Sequence, residues 1–208
     1  MQEPYDAIIF DLGGVVLNLD YNKTIDAFKV LGKKNFEQLY TQSQQDKIFD
    51  KFETGEITSA EFRNYMRAFI QEEIGDEKID AAWNAMLLDL PSPRVALLKE
   101  LRKNYTLFLY SNTNEIHFAA FQNIIETTYG DKNLLETIFH QTYYSHLINM
   151  RKPNTNGFQK ILADNNLIAA RTLFIDDSAQ HIEGAKQLNL QTFHLVDKDI
   201  LQLFNFNG

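Results

Sequence analysis

The sequence predicts an α/β fold: a mainly parallel sheet with helices on both faces, interrupted by an inserted helical segment. Three observations predict it. Short apolar runs rich in β-branched and aromatic residues recur at 7–12, 106–110, 171–175 and 191–196, with a fifth near 139–145. Helical patterns lie between several of these runs, an alternation that builds parallel sheets buried on both faces. The long interval from Asp20 to Pro91 breaks the alternation, with amphipathic helical patterns and no convincing strand.

The first element carries the most information. Ala7-Ile8-Ile9-Phe10 is a continuous apolar run that reaches Asp11 and then turns through Gly13-Gly14. An open α/β sheet presents a nucleophile or metal ligand this way, at the carboxyl edge of a buried strand. The insertion comes next. Within it, Thr58-Ser59-Ala60-Glu61 reads as a capping box opening a helix with Phe62, Tyr65, Met66 and Phe69 on one face. The turn before it, Glu53-Thr54-Gly55-Glu56, is short and polar. Pro91-Ser92-Pro93 marks the return to the sheet, because the residue before a proline is biased away from helix. The expected division is a core of residues 1–17 and 92–208 and an insertion of 18–91. A helix around Pro93–Lys103 turns Val95, Leu97, Leu98 and Leu101 inward, and one over Asn154–Asn166 carries Phe158, Ile161 and Leu162. Both precede a strand. The aromatic segments Phe62–Phe69 and Phe118–Phe121 are core stripes.

Composition narrows the function. With 208 residues, 44% of them hydrophobic, the chain can bury a sizeable core. The absence of cysteine excludes disulfides, thiolate metal sites and a cysteine nucleophile, and suits a reducing compartment. Met1-Gln2-Glu3-Pro4 does not lead from a basic patch into a long apolar segment, and no run approaches the roughly 18 apolar residues of a membrane span. The chain therefore reads as soluble and cytoplasmic, with no membrane partner. A net charge of −8 repels polyanions and argues against nucleic acid as a partner. Any phosphorylated substrate must be captured by local features. The sequence leaves the oligomeric state open.

Three further motifs sit at or just after predicted strand ends. Leu107-Phe108-Leu109-Tyr110 runs into Ser111-Asn112-Thr113-Asn114, where hydroxyl, amide and backbone N–H groups at a helix start can hold a phosphoryl group. Met150-Arg151-Lys152-Pro153 places a cation beside a proline-fixed turn. Leu173-Phe174-Ile175 ends in Asp176-Asp177-Ser178, a carboxylate pair that with Asp11 suits Mg²⁺. Each has a plain structural reading by itself: a turn aspartate, a helix cap, a solvated lysine, acidic residues complementing a helix dipole. Their joint occurrence in this order points to chemistry.

In order and context the four motifs resemble the haloacid dehalogenase superfamily, a Rossmann-like α/β core with an inserted helical cap. The likeness covers nearly the whole chain. Asp11-Leu12-Gly13, Ser111-Asn112-Thr113-Asn114 with His117, Arg151-Lys152-Pro153, and Asp176-Asp177 with Ile182-Glu183-Gly184-Ala185 are similar to motifs of a bacterial subgroup containing α-D-glucose-1-phosphate phosphatases. The resemblance implies a Mg²⁺-dependent phosphatase of a small phosphorylated metabolite, a sugar phosphate. Asp11 would form an aspartyl-phosphate, and Lys152 would neutralise charge on it and on the transferring group. Ser111, Asn112 and Gly14 would bind phosphate. Asp11, the Gly13 carbonyl, Asp177 and Asp176 would hold Mg²⁺, with Asp176 acting directly or through water.

Two positions depart from the wider pattern. Many phosphatases of this superfamily carry an acid–base aspartate where this chain has Gly13; the resembling subgroup shares the glycine. Water, His117, or a cap residue such as Glu53 or Glu56 are the candidates to replace it. His181 stands where the subgroup has asparagine or aspartate, and a charge there would compete with a cation. Two other readings use the same scaffold: a metal-independent haloacid dehalogenase, and a catalytically impaired binding protein. Substrate choice is expected to reside near Gln44–Glu56.

Overall fold

The computed structural model describes residues 5–32, 47–70 and 73–206. The expected sheet is present. Strands β1 (Ala7–Phe10), β2 (Thr106–Ser111), β3 (Gln141–Tyr144), β4 (Thr172–Asp176) and β5 (Gln191–His194) lie in the order β3-β2-β1-β4-β5, every neighbouring pair parallel. Its continuous apolar runs serve two cores at once. Ile8, Phe10, Leu107, Leu109, Leu173 and Ile175 enter one cluster, while Ala7, Ile9, Phe108, Tyr110 and Phe174 enter another. This alternation buries both faces, at roughly 1.5–3 kcal/mol for each large apolar side chain.

Strand boundaries differ slightly from the sequence expectation. β1 stops at Phe10 rather than residue 12: the Asp11 N–H makes the last bond to β4, to Ile175 O at 2.9 Å, and the chain then turns, with the Val16 and Leu17 N–H groups donating back to Leu12 O at 2.8 Å. β5 stops at His194, two residues before the half-exposed Val196.

Between β1 and the next sheet element lie helices α1 (Tyr21–Val30), α2 (Lys47–Glu53), α3 (Ser59–Ile70) and α4 (Asp76–Asn84). The capping box forms as expected. Glu61 accepts from the Thr58 N–H at 2.8 Å and Thr58 Oγ1 accepts from the Glu61 N–H at 3.2 Å. Phe28, Phe49, Phe52, Phe62, Met66, Ile79 and Trp83 make this region its own apolar cluster. The two connections to the sheet run side by side, with the Asn18 N–H donating to Asp89 O and the Asp20 N–H to Met86 O, both at 2.9 Å.

The remaining helices are α5 (Ser92–Leu101), α6 (Glu115–Tyr129), α7 (Leu134–Ile138), α8 (Ser145–Ile148), α9 (Thr155–Asp164), α10 (Ala179–Lys186) and α11 (Ile200–Leu203). Val95, Leu97, Leu98 and Leu101 of α5 are buried, as are Phe158 and Ile161 of α9; Leu162 is half-buried. Among the described residues no helix is long and apolar enough to cross a membrane.

Candidate active site

The sheet order reverses direction between β1 and β4, and side chains leaving the carboxyl ends of adjacent strands converge there. Asp11 follows β1, Ser111 ends β2 and Asp176 ends β4. Lys152 arrives from the loop after α8. Its Nζ lies 2.7 Å from Asp11 Oδ1 and 2.8 Å from Asp176 Oδ2, with the whole residue 0% exposed. The ring faces of Tyr110 and Phe174 flank it at 5.4 and 5.5 Å, so the ammonium is enclosed by apolar rings and two carboxylates.

The electrostatics follow from that enclosure. Burial works against the Lys152 charge, and Asp11 and Asp176 outweigh it, holding its pKa above the usual lysine range. Burial also opposes ionisation of Asp176, but Lys152 and His181 dominate and keep it down at about 2. Asp11 is pushed up to about 6 by burial, against the pull of Lys152. Asp177 is pushed up to about 7 by burial and by the charges of Asp11 and Asp176. One ammonium thus faces three carboxylates, a surplus of negative charge carried on hard oxygen donors. That donor set is the kind a divalent cation such as Mg²⁺ takes.

Ligand atoms of Asp11, Asp176 and His181 lie within 4.8 Å of one another, a cluster that omits Asp177. His181 Nδ1 is 3.0 Å from both Asp176 oxygens, so this departure from the subgroup pattern faces the carboxylates. The Asp177 carboxylate lies instead over Gly14, where a Cβ would come within 2.2 Å of Oδ2. Gly14 also has φ +76°, so no other residue fits there without strain. The Gly14 N–H, expected to bind phosphate, donates here to Leu17 O at 2.9 Å, and the residue makes room for Asp177. At Gly13 a Cβ would meet Leu19 Cδ1 at 2.4 Å, so Leu19 fills the space an aspartate would use.

Asn112 ties the phosphate-side loop to the lysine loop. Its amide donates to Lys152 O and accepts from the Lys152 N–H, both at 2.9 Å, which leaves one amide N–H beside the cavity. Ser111 is buried and lines that cavity. His117, by contrast, is held as a neutral tie. Its Nε2 lies 3.0 Å from Trp83 O, its Nδ1 3.1 Å from Asn114 Nδ2, and its ring stacks on Trp83 at 4.8 Å. The tautomer with a proton on Nε2 satisfies both partners, and burial pushes the pKa down to about 4. Neither nitrogen is available to carry a proton to a substrate. Glu56 is exposed and bonded by Thr54 Oγ1 at 2.8 Å, outside the cavity.

The cavity itself has a volume of about 280 Å³ and opens between the sheet edge and the inserted helices. Asp11, Ser111, Asp177 and His181 line one side; Tyr21, Asp50, Glu53, Trp83 and Met86 come from the insertion. Of the segment expected to choose the substrate, residues 44–46 lie outside the described residues. Asp50 and Glu53 of that segment do line the cavity, whereas motif reading missed Tyr21, Trp83 and Arg151 as cavity residues. Arg151 was visible beside Lys152, but its partners were not.

The haloacid dehalogenase-like hydrolase family matches residues 5–189. A wild-type HAD family enzyme from Bacteroides thetaiotaomicron, crystallised with magnesium and inorganic phosphate, is 35% identical, with a TM-score of 0.85 over 96% of this chain and 99% of that one. A D-ribitol-5-phosphate phosphatase of the same species is 28% identical over 186 residues, 89% of each chain. A sesquiterpene phosphatase of Aspergillus oryzae is 28% identical over 93% of this chain and 91% of its own. The chain belongs to the haloacid dehalogenase-like hydrolase family, an α/β enzyme family.

Proposed function

We propose that the protein is a Mg²⁺-dependent phosphomonoesterase that hydrolyses a small phosphorylated metabolite, a sugar or sugar-alcohol phosphate, with residues 18–91 as a cap over the core of 1–17 and 92–208. The carrying observation is Lys152, buried between Asp11 and Asp176 beside a cavity that Ser111 and Asp177 also line. Magnesium and phosphate in the similar crystal structure, and the ribitol phosphate substrate of another relative, support the reading.

In this reading an Asp11 oxygen attacks phosphorus, the bond to the leaving oxygen breaks, and an aspartyl-phosphate forms. Water then attacks phosphorus and restores the carboxylate. Lys152 offsets charge on Asp11 and on the transferring group, while Ser111 and the free Asn112 N–H hold phosphoryl oxygens. Asp11, Asp177, the Gly13 carbonyl and Asp176 would hold Mg²⁺, which supplies charge neutralisation at the phosphoryl oxygens. With Leu19 over Gly13, His117 tied to Trp83 and Glu53 paired with Arg151, proton transfer to the leaving oxygen falls to water. The surplus of carboxylates speaks against a haloacid dehalogenase, since it would repel a carboxylate substrate and halide departure needs no cation.

A panel of phosphate esters assayed with and without Mg²⁺, beside Asp11→Asn, tests this. Metal-dependent phosphate release abolished by the substitution is expected. Halide release from haloacids without metal, or no release from any ester, overturns it.

A further inference from the structure

A second set of charges lines the same cavity and takes no part in the chemistry above. Arg151 Nε and Nη2 both lie 2.9 Å from Glu53 Oε2, and its Nη1 lies 2.9 Å from Asp50 Oδ1. Asp50 and Glu53 are three residues apart on α2 and share a helix face. Arg151 and Glu53 are well shielded, their side chains 17% and 15% exposed, whereas Asp50 is 44% exposed. All three border the cavity, on the inserted helices and on the loop that carries Lys152.

We infer that Arg151, Glu53 and Asp50 form the subsite for the leaving alcohol and select a neutral, polyhydroxylated one, a reading that rests on the phosphatase function proposed above. Two carboxylates offer roughly eight lone-pair sites against the five N–H groups of one guanidinium, so acceptors are in excess. Hydroxyl groups are the donors that fill such sites. The trio carries one more negative charge than positive, and its cation is already paired, so an alcohol bearing a carboxylate or a second phosphate meets repulsion. A long apolar alcohol would strip water from the carboxylates and return no hydrogen bond. The sugar-alcohol substrate of one relative fits this subsite, and the terpenoid substrate of the other does not.

The trio also joins the insertion to the lysine loop, and a plain strut would look the same in a static structure. Substrate ratios separate the two. The full-length protein with Mg²⁺ is assayed for kcat/KM on a pentitol phosphate, on phosphoglycolate and on p-nitrophenyl phosphate. In the wild type the pentitol phosphate should exceed phosphoglycolate. In Glu53→Gln the ratio of pentitol phosphate to p-nitrophenyl phosphate should fall by about tenfold, the worth of one hydrogen bond to a charged group, while the ratio of phosphoglycolate to p-nitrophenyl phosphate rises. Asp50→Asn, at the more exposed position, should move both ratios the same way by less. Equal losses on all three esters in both variants, or a wild type that takes phosphoglycolate as well as the pentitol phosphate, overturns the inference alone. No turnover of any ester overturns the phosphatase reading and this inference with it.

Discussion

Two buried polar regions lie close together in this molecule and are built on opposite principles. Around Trp83 and His117 the groups are neutral and matched: Trp83 O meets Thr24 Oγ1 and His117 Nε2, each at 3.0 Å, and Asn114 caps α6 by accepting from the His117 N–H at 3.0 Å. Around Lys152 two carboxylates, Asp11 and Asp176, share one ammonium with a third, Asp177, in the same cluster, and Asp11 and Asp177 are driven toward neutrality by burial and repulsion. A matched buried network specifies a fold, whereas an unbalanced one stores electrostatic strain that a bound ligand can relieve. The first joins the inserted helices to the core; the second gathers carboxylate oxygens, the hard donors a divalent cation takes.

The sharpest way to break that contrast is Asp11→Asn. Loss of the nucleophile should lower phosphate release by at least about 10³-fold, while removal of one surplus carboxylate leaves the folded state no less stable. Phosphate release and thermal unfolding are the two measurements. A variant that keeps turnover, or that unfolds more easily than wild type, contradicts the division of roles.

Lys152→Met probes the same cluster from the other side. It leaves Asp11 and Asp176 buried without their cation, which should cost about 3–5 kcal/mol in urea unfolding at neutral pH. The deficit should shrink as pH falls. Unpaired buried carboxylates hold protons more tightly folded than unfolded, so their penalty is felt above the folded-state pKa and fades below it. A variant as stable as wild type at pH 7 would mean that the cluster stores no imbalance.

The matched region predicts its own pH dependence. His117 is held at about 4 in the fold against an ordinary 6.5, so the unfolded chain binds the extra proton first. Its contribution is complete above pH 6.5 and is lost as pH falls toward 4, up to about 3 kcal/mol in all. Unfolding free energies at pH 7 and pH 5 should differ by about 2 kcal/mol from this group, and His117→Asn should remove that part of the slope. An unchanged slope would place the titration elsewhere.

What the sequence disclosed separates along the same line. The strands were legible because burial on both faces writes an unbroken apolar run, and Asp11, Lys152 and Asp176-Asp177 stood out because each ends or follows such a run or sits directly before a proline. The capping box was legible because its partners are three residues apart. The partners of Arg151 and His117 were not, since Glu53 lies 98 residues away and Trp83 34 residues away, and no local pattern encodes a contact between separate elements. The same limit hid Leu19 above Gly13 and Asp177 above Gly14. Side-chain identity announced a charged site, but which carboxylate is clamped by Lys152 and which is left over is a property of the fold alone.

The smallest effect should come from Thr24→Val, within the matched region. The Thr24 hydroxyl is buried, donates to Trp83 O at 3.0 Å and accepts from the Met86 N–H at 3.1 Å, bridging α1 to the end of α4. Valine keeps the shape and removes the hydroxyl, so the Met86 N–H loses its acceptor while Trp83 O keeps His117. Loss of the two buried hydrogen bonds of the hydroxyl should cost about 1–2 kcal/mol of stability. Because Thr24 touches Trp83 and Met86 rather than the carboxylates, kcat should stay within about twofold of wild type once the variant is assayed well below its unfolding transition. A kcat loss beyond that, without a matching loss of stability, would mean that the neutral seam helps set the geometry of the charged cluster, and the two regions could no longer be treated as independent.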